Sequence, residues 1–367
     1  MSVNATTVSA GEALRVLRAG WAAQMAGDLT ASWMLHGRPG VGKTEVVQTL
    51  AQQIGAELYD LRLTTIEPQD LRGLPYFDHA RGKTVWYRPE DLPDTDAPAI
   101  LFLDELTAAA PALQPTVYGL LQERRVGRHR LPANVMIVAA GNRVEDGAIA
   151  YDMGTALSDR LIHMIVQASA DDWLTQYAVP AGIHPSVAAF IRTRPDLLET
   201  TEASLRRGQM IACTPRSWTR VSQIMRSVPD RALRQVMIAG TVGTAAAAEF
   251  ALLADEIAAT VHIDQMLGST RAERSALYPS SLHGLTALVY GLVGAVRQDT
   301  LPAAIEILAD LRGQSGLAQR GLPISELASF GFELLIARAL ENGWQEAFAR
   351  SEAYAAYAAE RRAAGLP

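Results

Sequence analysis

The sequence predicts an α/β fold over roughly the first 170 residues, with a parallel sheet between helices, followed by helices alone to the end. Three observations lead there. Apolar runs of strand length alternate with segments of helical periodicity as far as Val166, the pattern of a parallel sheet covered on both faces. A glycine-rich octapeptide, Gly37-Arg38-Pro39-Gly40-Val41-Gly42-Lys43-Thr44, joins one such run to one such segment. Past residue 170 strand signals vanish, and alanine- and leucine-rich helical stretches take over.

Residues 11–27 carry apolar side chains at helical spacing (Ala13, Leu14, Leu17, Trp21, Met25) and open the chain with an amphipathic helix. Residues 32–36 form a short apolar run that stops at a glycine, as a buried strand does. Residues 43–54 return to helical periodicity and end at Gly55, a C-cap residue. A second strand is expected over 57–65. Residues 66–98 hold prolines at 68, 75, 89, 93 and 98 and the aromatics Tyr76, Phe77, Trp86 and Tyr87, which reads as an insertion with a hairpin through Gly82. A strand over 99–103 ends in Asp104-Glu105, a helix follows over 111–123, a strand over 135–140 ends in Gly141-Asn142, and a last strand covers 161–166. Beyond these, helices are expected over 215–228, 232–257, 285–297, 303–311, 325–340 and 344–362. Boundaries near 170 and 260 divide the chain into an α/β core (1–170), a helical segment (171–259) and a helical C-terminal region (260–367).

A length of 367 residues suits two or three domains. The net charge of −6 argues against a dedicated duplex-DNA binder, which carries a basic face. The single cysteine, Cys213, excludes an internal disulfide framework and a cysteine-rich zinc site, and fits a reducing compartment such as the cytoplasm. Residues 1–10 lack the pattern of a signal peptide, and the most apolar stretch, 285–296, is too short for a membrane span and holds glycines. The chain therefore reads as soluble. The seven histidines show no metal-ligand spacing, and His36, beside the glycine loop, reads as packing.

The octapeptide fits G-x-x-x-x-G-K-[ST], and each fixed residue has a physical reason. Its glycines let the backbone curl until successive N–H groups face phosphate oxygens at a helix N-terminus. Lys43 then reaches the β- and γ-phosphates, and the Thr44 hydroxyl supplies a magnesium ligand. Lys43 is one of only two lysines in the chain, so its place in the motif is informative. ATP with Mg2+ is the ligand this loop predicts.

Asp104 and Glu105 end an apolar strand, where active sites of parallel sheets lie. Asp104 would hold the magnesium and Glu105 would orient and activate the attacking water; alternatively both are carboxylates at a solvated helix start. Asn142, at the next strand's end, could contact the γ-phosphate and the water, or serve as an ordinary Asx-turn residue. Arg160 and Arg216 could each neutralise charge on the phosphates or pair with a surface carboxylate. The insertion aromatics could grip a client in a pore or pack against their own core. The basic run at 123–130 could touch nucleic acid, a neighbour's phosphates, or solvent alone.

Taken together, the loop, Asp104-Glu105, Asn142, Asp159-Arg160 and Thr214-Pro215-Arg216 resemble an AAA+ ATPase. Asp70-Leu71-Arg72-Gly73, the pair Pro111 and Gln114, and Leu120-Leu121-Gln122-Glu123-Arg124 narrow the resemblance to the MoxR group of the helix-2-insert branch, over roughly residues 30–230. The chain departs from that group's pattern at Thr107, Ala108, Arg143 and Leu161. The resemblance implies a P-loop AAA+ core followed by an all-α lid. It implies that Asn142 is the first sensor, Arg160 the finger that completes a neighbouring subunit's site, and Arg216 the second sensor. It also implies a homo-oligomeric, commonly hexameric, ring with a chaperone-like role. Such rings hydrolyse ATP to remodel a protein client, often one with a von Willebrand factor A domain. A nucleic-acid-associated NTPase motor is the alternative, which the overall acidity disfavours.

Overall fold

In the computed structural model, which describes residues 3–146 and 158–363, six strands run parallel in one sheet. In chain order the elements are β1 (Thr7–Val8), α1 (Ala10–Ala26), β2 (Ser32–His36), α2 (Lys43–Ile54), β3 (Glu57–Arg62) and α3 (Pro68–Arg72). A hairpin of β4 (Pro75–Asp78) and β5 (Lys83–Trp86) follows, then β6 (Ala99–Asp104) and α4 (Gln114–Glu123). A second, tight hairpin pairs β7 (Arg125–Val126) with β8 (His129–Arg130), before β9 (Val135–Gly141) and β10 (Leu161–Val166). Across the sheet the order is β1-β10-β2-β9-β6-β3.

Side chains alternate between the two faces as the pleat requires. In β6, Ile100 and Phe102 join Leu17, Val47 and Leu50 of α1 and α2, whereas Leu101 and Leu103 join Val117, Leu120 and Leu121 of α4. Burial on both faces explains why these strands are continuous apolar runs in the sequence. Gly20 lets α1 lie directly on the sheet, since a Cβ there would sit 2.1 Å from the Trp33 ring.

Strand order sets the site. β9 inserts between β2 and β6, with His36 opposite Gly141 and Leu103 opposite Ala139. The glycine loop, Asn142 and the acid pair therefore leave three adjacent strands at nearly one level, each about 5 Å from the next.

The chain divides into two compact units, Met1–Ser169 with Thr201–Gln209, and Ala170–Thr200 with Met210–Pro367. The helix Thr201–Arg206, α6 below, belongs to the first. The second is helical: α5 (Pro185–Thr193), α7 (Pro215–Ser227), α8 (Arg231–Val242), α9 (Thr244–Thr260), α10 (Leu282–Ala295), α11 (Leu301–Arg312), α12 (Ile324–Asn342) and α13 (Glu352–Ala363) carry most of it. Phe190, Trp218 and Phe250 pack ring against ring at its centre, 5.1–5.8 Å apart. The strongly apolar α10 lies against α5 and α12, hence its lack of a polar face. Among the described residues, no helix is long and apolar enough to cross a membrane.

Several boundaries differ from expectation. The strand expected over 57–65 ends at Arg62, and Thr64 turns out of it. The helix expected over 232–257 is two helices, because Gly243 takes φ 86°, outside the helical region. The stretch 344–362 likewise divides, into Glu346–Ala349 and α13. β1 is two residues long, too short for periodicity to reveal.

Candidate active site

The glycine loop curls as its composition predicts. Gly37 and Gly42 take φ 156° and 103°, and a Cβ on Gly37 would lie 2.5 Å from the Val166 carbonyl oxygen. Helix α2 starts at Lys43 without a side-chain cap. Its first N–H groups and its dipole are therefore available to an anion.

Lys43 is only 9% exposed, and its Nζ donates to Gly37 O (2.5 Å), Arg38 O (3.0 Å) and Asn142 Oδ1 (3.2 Å). A buried ammonium needs such partners. Asn142 is thereby brought to the loop from a strand about a hundred residues away. Its own carbonyl accepts from Thr107 Oγ1 at 2.9 Å, and Thr107 packs so tightly on Gly141 that a Cβ there would lie 2.5 Å from its hydroxyl. Thr107, one of the departures from the group pattern, thus braces the asparagine.

The Thr44 hydroxyl donates to Asp104 Oδ2 at 3.4 Å, and Asp104 Oδ1 accepts the Glu105 N–H at 2.8 Å. Glu105 itself adopts the left-handed conformation (φ 59°), uncommon for a residue with a side chain. Its carboxylate turns toward the exit of β3, where the Thr64 hydroxyl donates to Oε2 and Arg62 Nε lies 3.9 Å from Oε1.

A second polar layer went unread in the sequence. Asp146, with a fully buried side chain, accepts from the Arg143 N–H (2.8 Å) and from its guanidinium (2.7 Å). Arg38, inside the loop, lies 3.7 Å from Asp146 and donates to Glu202 of α6 at 2.7 Å. A buried carboxylate needs this pairing, and the pairing ties the loop to the segment after Asn142 and to α6.

The two remaining arginines are not gathered at the loop. Leu161 pairs with Ser32 at the start of β2, so Arg160 stands at the opposite end of the strands from the loop that follows His36. At the rise of a parallel strand the separation is about 15 Å. There Arg160 lines a cavity of about 270 Å³ with Thr30, Ser32, Gln122 and Arg124. Leu157, which precedes this stretch, lies outside the described residues. Arg216 is exposed in the first turn of α7 in the second unit, behind a capping box of Thr214 and Ser217.

The insertion aromatics are not packed into a core of their own. Phe77 and Tyr87 are exposed, Tyr76 stacks on Tyr87 at 4.4 Å, and the hairpin presents them outward. The basic run forms the β7–β8 hairpin. Arg124 is turned inward, donating to Pro132 O and Val135 O, and Arg125 pairs with Glu123.

A parallel sheet with β9 between the loop strand and the acid strand, followed by a helical unit, defines a P-loop protein of the AAA+ ATPase class. The chain belongs to the MoxR family: the model described as "MoxR domain in the MoxR-vWA-beta-propeller ternary systems" matches residues 2–186. It is 26% identical over 178 residues to Chaperone MoxR1 of Mycobacterium tuberculosis, covering 46% of this chain and 45% of that protein. It is 32% identical over 104 residues to the mouse ATPase family gene 2 protein homolog B, covering 28% of this chain and 12% of that one. The chain thus spans less than half the length of either curated relative. Among solved structures it is similar to the RuvB Holliday junction branch migration motor of Thermotoga maritima, with a TM-score of 0.39 and 15% identity over 79% of this chain and 83% of that one.

Proposed function

We propose that the chain hydrolyses ATP to ADP and phosphate with Mg2+, as a subunit of a homo-oligomeric ring that remodels a protein partner. The observation that carries the reading is the convergence of Lys43, Thr44, Asp104 and Asn142 from three strand ends, linked at 3.2 and 3.4 Å. Thr44 and Asp104 offer adjacent hard oxygens of the kind Mg2+ takes; the ion would neutralise charge on the phosphate oxygens. Lys43 and the N–H groups of the loop would hold the phosphates. Asn142 would contact the γ-phosphate and the attacking water, which Glu105 would orient and deprotonate once it leaves Thr64.

Arg160 would act on the site of a neighbouring subunit. Its position at the far end of the strands from its own loop supports a role in trans, and with it a ring, taken as hexameric. Arg216 would serve as a second sensor from the helical lid, assigned to 171–259, with 260–367 as a further helical region. The family description, which names ternary systems with vWA and beta-propeller components, supports a client bearing a von Willebrand factor A domain. The inward turn of Arg124 leaves less free basic surface for a nucleic-acid motor. The single cysteine, Cys213, which excludes an internal disulfide, is the feature that supports a role in the cytoplasm.

The test is phosphate release from ATP by the purified chain with Mg2+ and with excess chelator, alongside sedimentation with and without ATP. Mg2+-dependent release with nucleotide-dependent assembly is expected. Tight ATP binding with no release above background would reduce the chain to a nucleotide-gated scaffold.

A further inference from the structure

His36 closes β2 immediately before Gly37, and His163 lies on β10, three residues past Arg160. His36 Nε2 is 2.8 Å from His163 Nδ1, with the two rings nearly parallel. His163 Nε2 is in turn 2.8 Å from Ser158 O and 3.1 Å from Ser158 Oγ. A continuous run of polar contacts therefore leads from the residue that precedes the loop to the turn that carries Arg160.

The carbonyl fixes the protons along this run. Ser158 O only accepts, so His163 Nε2 carries a hydrogen and, in the neutral ring, Nδ1 is an acceptor. His36 Nε2 then donates, leaving its Nδ1 without a hydrogen, and that atom is buried with no hydrogen-bond partner. The opposite arrangement would strand a buried N–H and leave His163 charged. Burial, with His163, Arg143 and Lys43 nearby, lowers the His36 pKa to about 4, so this ring is neutral at ordinary pH. By the pleat, the pair shares its face with Met34 and Leu161, both in the apolar core against α4. Two imidazoles there cost desolvation that apolar rings would avoid, so padding alone does not account for them.

We propose that His36 and His163 are positioning residues, which tie the entrance of the phosphate loop to the Ser158–Arg160 turn so that nucleotide at one end of the strands sets the arginine presented at the other. The inference rests on the reading of Arg160 as a residue acting on a neighbour's site. Neither histidine touches substrate; both act through the arginine.

Steady-state ATP hydrolysis by the assembled full-length protein tests this, with nucleotide affinity and thermal unfolding measured beside it. His163→Phe keeps the ring and loses the hydrogen bonds; kcat should fall about tenfold with KM and Kd within about twofold. In an Arg160→Ala background the same change should cost nothing further. His36→Gln, whose side-chain N–H stands in for Nε2–H, should keep most of kcat, whereas His36→Leu should lose as much as His163→Phe. Additive losses in the double variant, or equal losses for Gln and Leu at residue 36, overturn the proposal. The contrast at residue 36 decides the matter alone should His163→Phe not fold. If Arg160→Ala leaves kcat unchanged, the reading of that arginine falls and this inference with it. If Arg160→Ala lowers kcat and His163→Phe does not, the inference alone falls.

Discussion

The carboxylate of Glu105 accepts a hydrogen bond from the Thr64 hydroxyl, on the β3 side of Asp104, whereas the phosphate loop leaves β2 on the other side. The residue proposed to activate water is therefore held toward the wrong flank of the sheet, in a left-handed backbone conformation that costs on the order of 1 kcal/mol. Removing the hydroxyl frees the carboxylate without touching the loop. Thr64→Val is expected to raise basal ATP turnover by up to about tenfold with nucleotide affinity unchanged, since a hydrogen bond to a charged group is worth about 1.5 kcal/mol or more and this one is exposed to water. Glu105→Gln should keep ATP binding and lose turnover by a factor of about 100 or more. Normal turnover in Glu105→Gln would remove that residue from the chemistry.

Placing Arg160 and Lys43 at opposite ends of neighbouring strands makes a quantitative statement about mixed assemblies. Lys43→Ala cannot bind nucleotide productively and Arg160→Ala cannot complete a neighbour's site, so each alone should be nearly inactive. Mixed one to one in a closed ring, about a quarter of the interfaces combine an intact loop with an intact arginine. Phosphate release near a quarter of the wild-type rate is expected. A mixture no more active than its components at every ratio would show that the site is not shared.

The sequence displayed the phosphate loop, the acid pair and the strands because each is local. The loop is eight consecutive residues, and strands buried on both faces are unbroken apolar runs. The second polar layer was illegible for the opposite reason. Thr64 meets Glu105 across 41 residues, His36 meets His163 across 127, and Arg38 meets Glu202 across 164. Only the strand order brings these together, and no periodicity encodes it. His36 read as packing because nothing near it in sequence could partner an imidazole. The inward turn of Arg124 was not legible in the basic run because its acceptors, Pro132 O and Val135 O, become neighbours only when the β7–β8 hairpin closes.

Gly20 is where α1 touches the sheet, and it offers a test of the fold apart from the chemistry. A Cβ there would overlap the Trp33 ring at 2.1 Å, and the ring is buried in β2 with little room to move. Gly20→Ala should destabilise the first unit by about 1–3 kcal/mol despite the better helix propensity of alanine. Urea unfolding followed by tryptophan fluorescence would report it. An unchanged or raised midpoint would mean that α1 can lift from the sheet at no cost.

Two buried histidines make acid sensitivity predictable in sign. His36 in the first unit and His184 in the second are both lowered to about 4, chiefly by burial; His163, Arg143 and Lys43 add to the shift of one, Arg226 and Arg234 to that of the other. Their folded pKa values lie below the unfolded value of 6.5, so between pH 6.5 and 4 the unfolded chain binds more protons and stability falls as pH falls. The stabilisation is whole above pH 6.5 and is lost progressively toward pH 4. Each histidine contributes on the order of 3 kcal/mol at most across that window. Paired carboxylates such as Glu202 and Asp255 are held below their ordinary range, whereas burial raises Asp60, which opposes the histidines' slope as pH falls. Urea unfolding at pH 7, 6 and 5 should show stability dropping at each step. His36→Gln should flatten the first unit's share and His184→Asn the second's. A slope that survives both substitutions would assign the acid sensitivity to other groups.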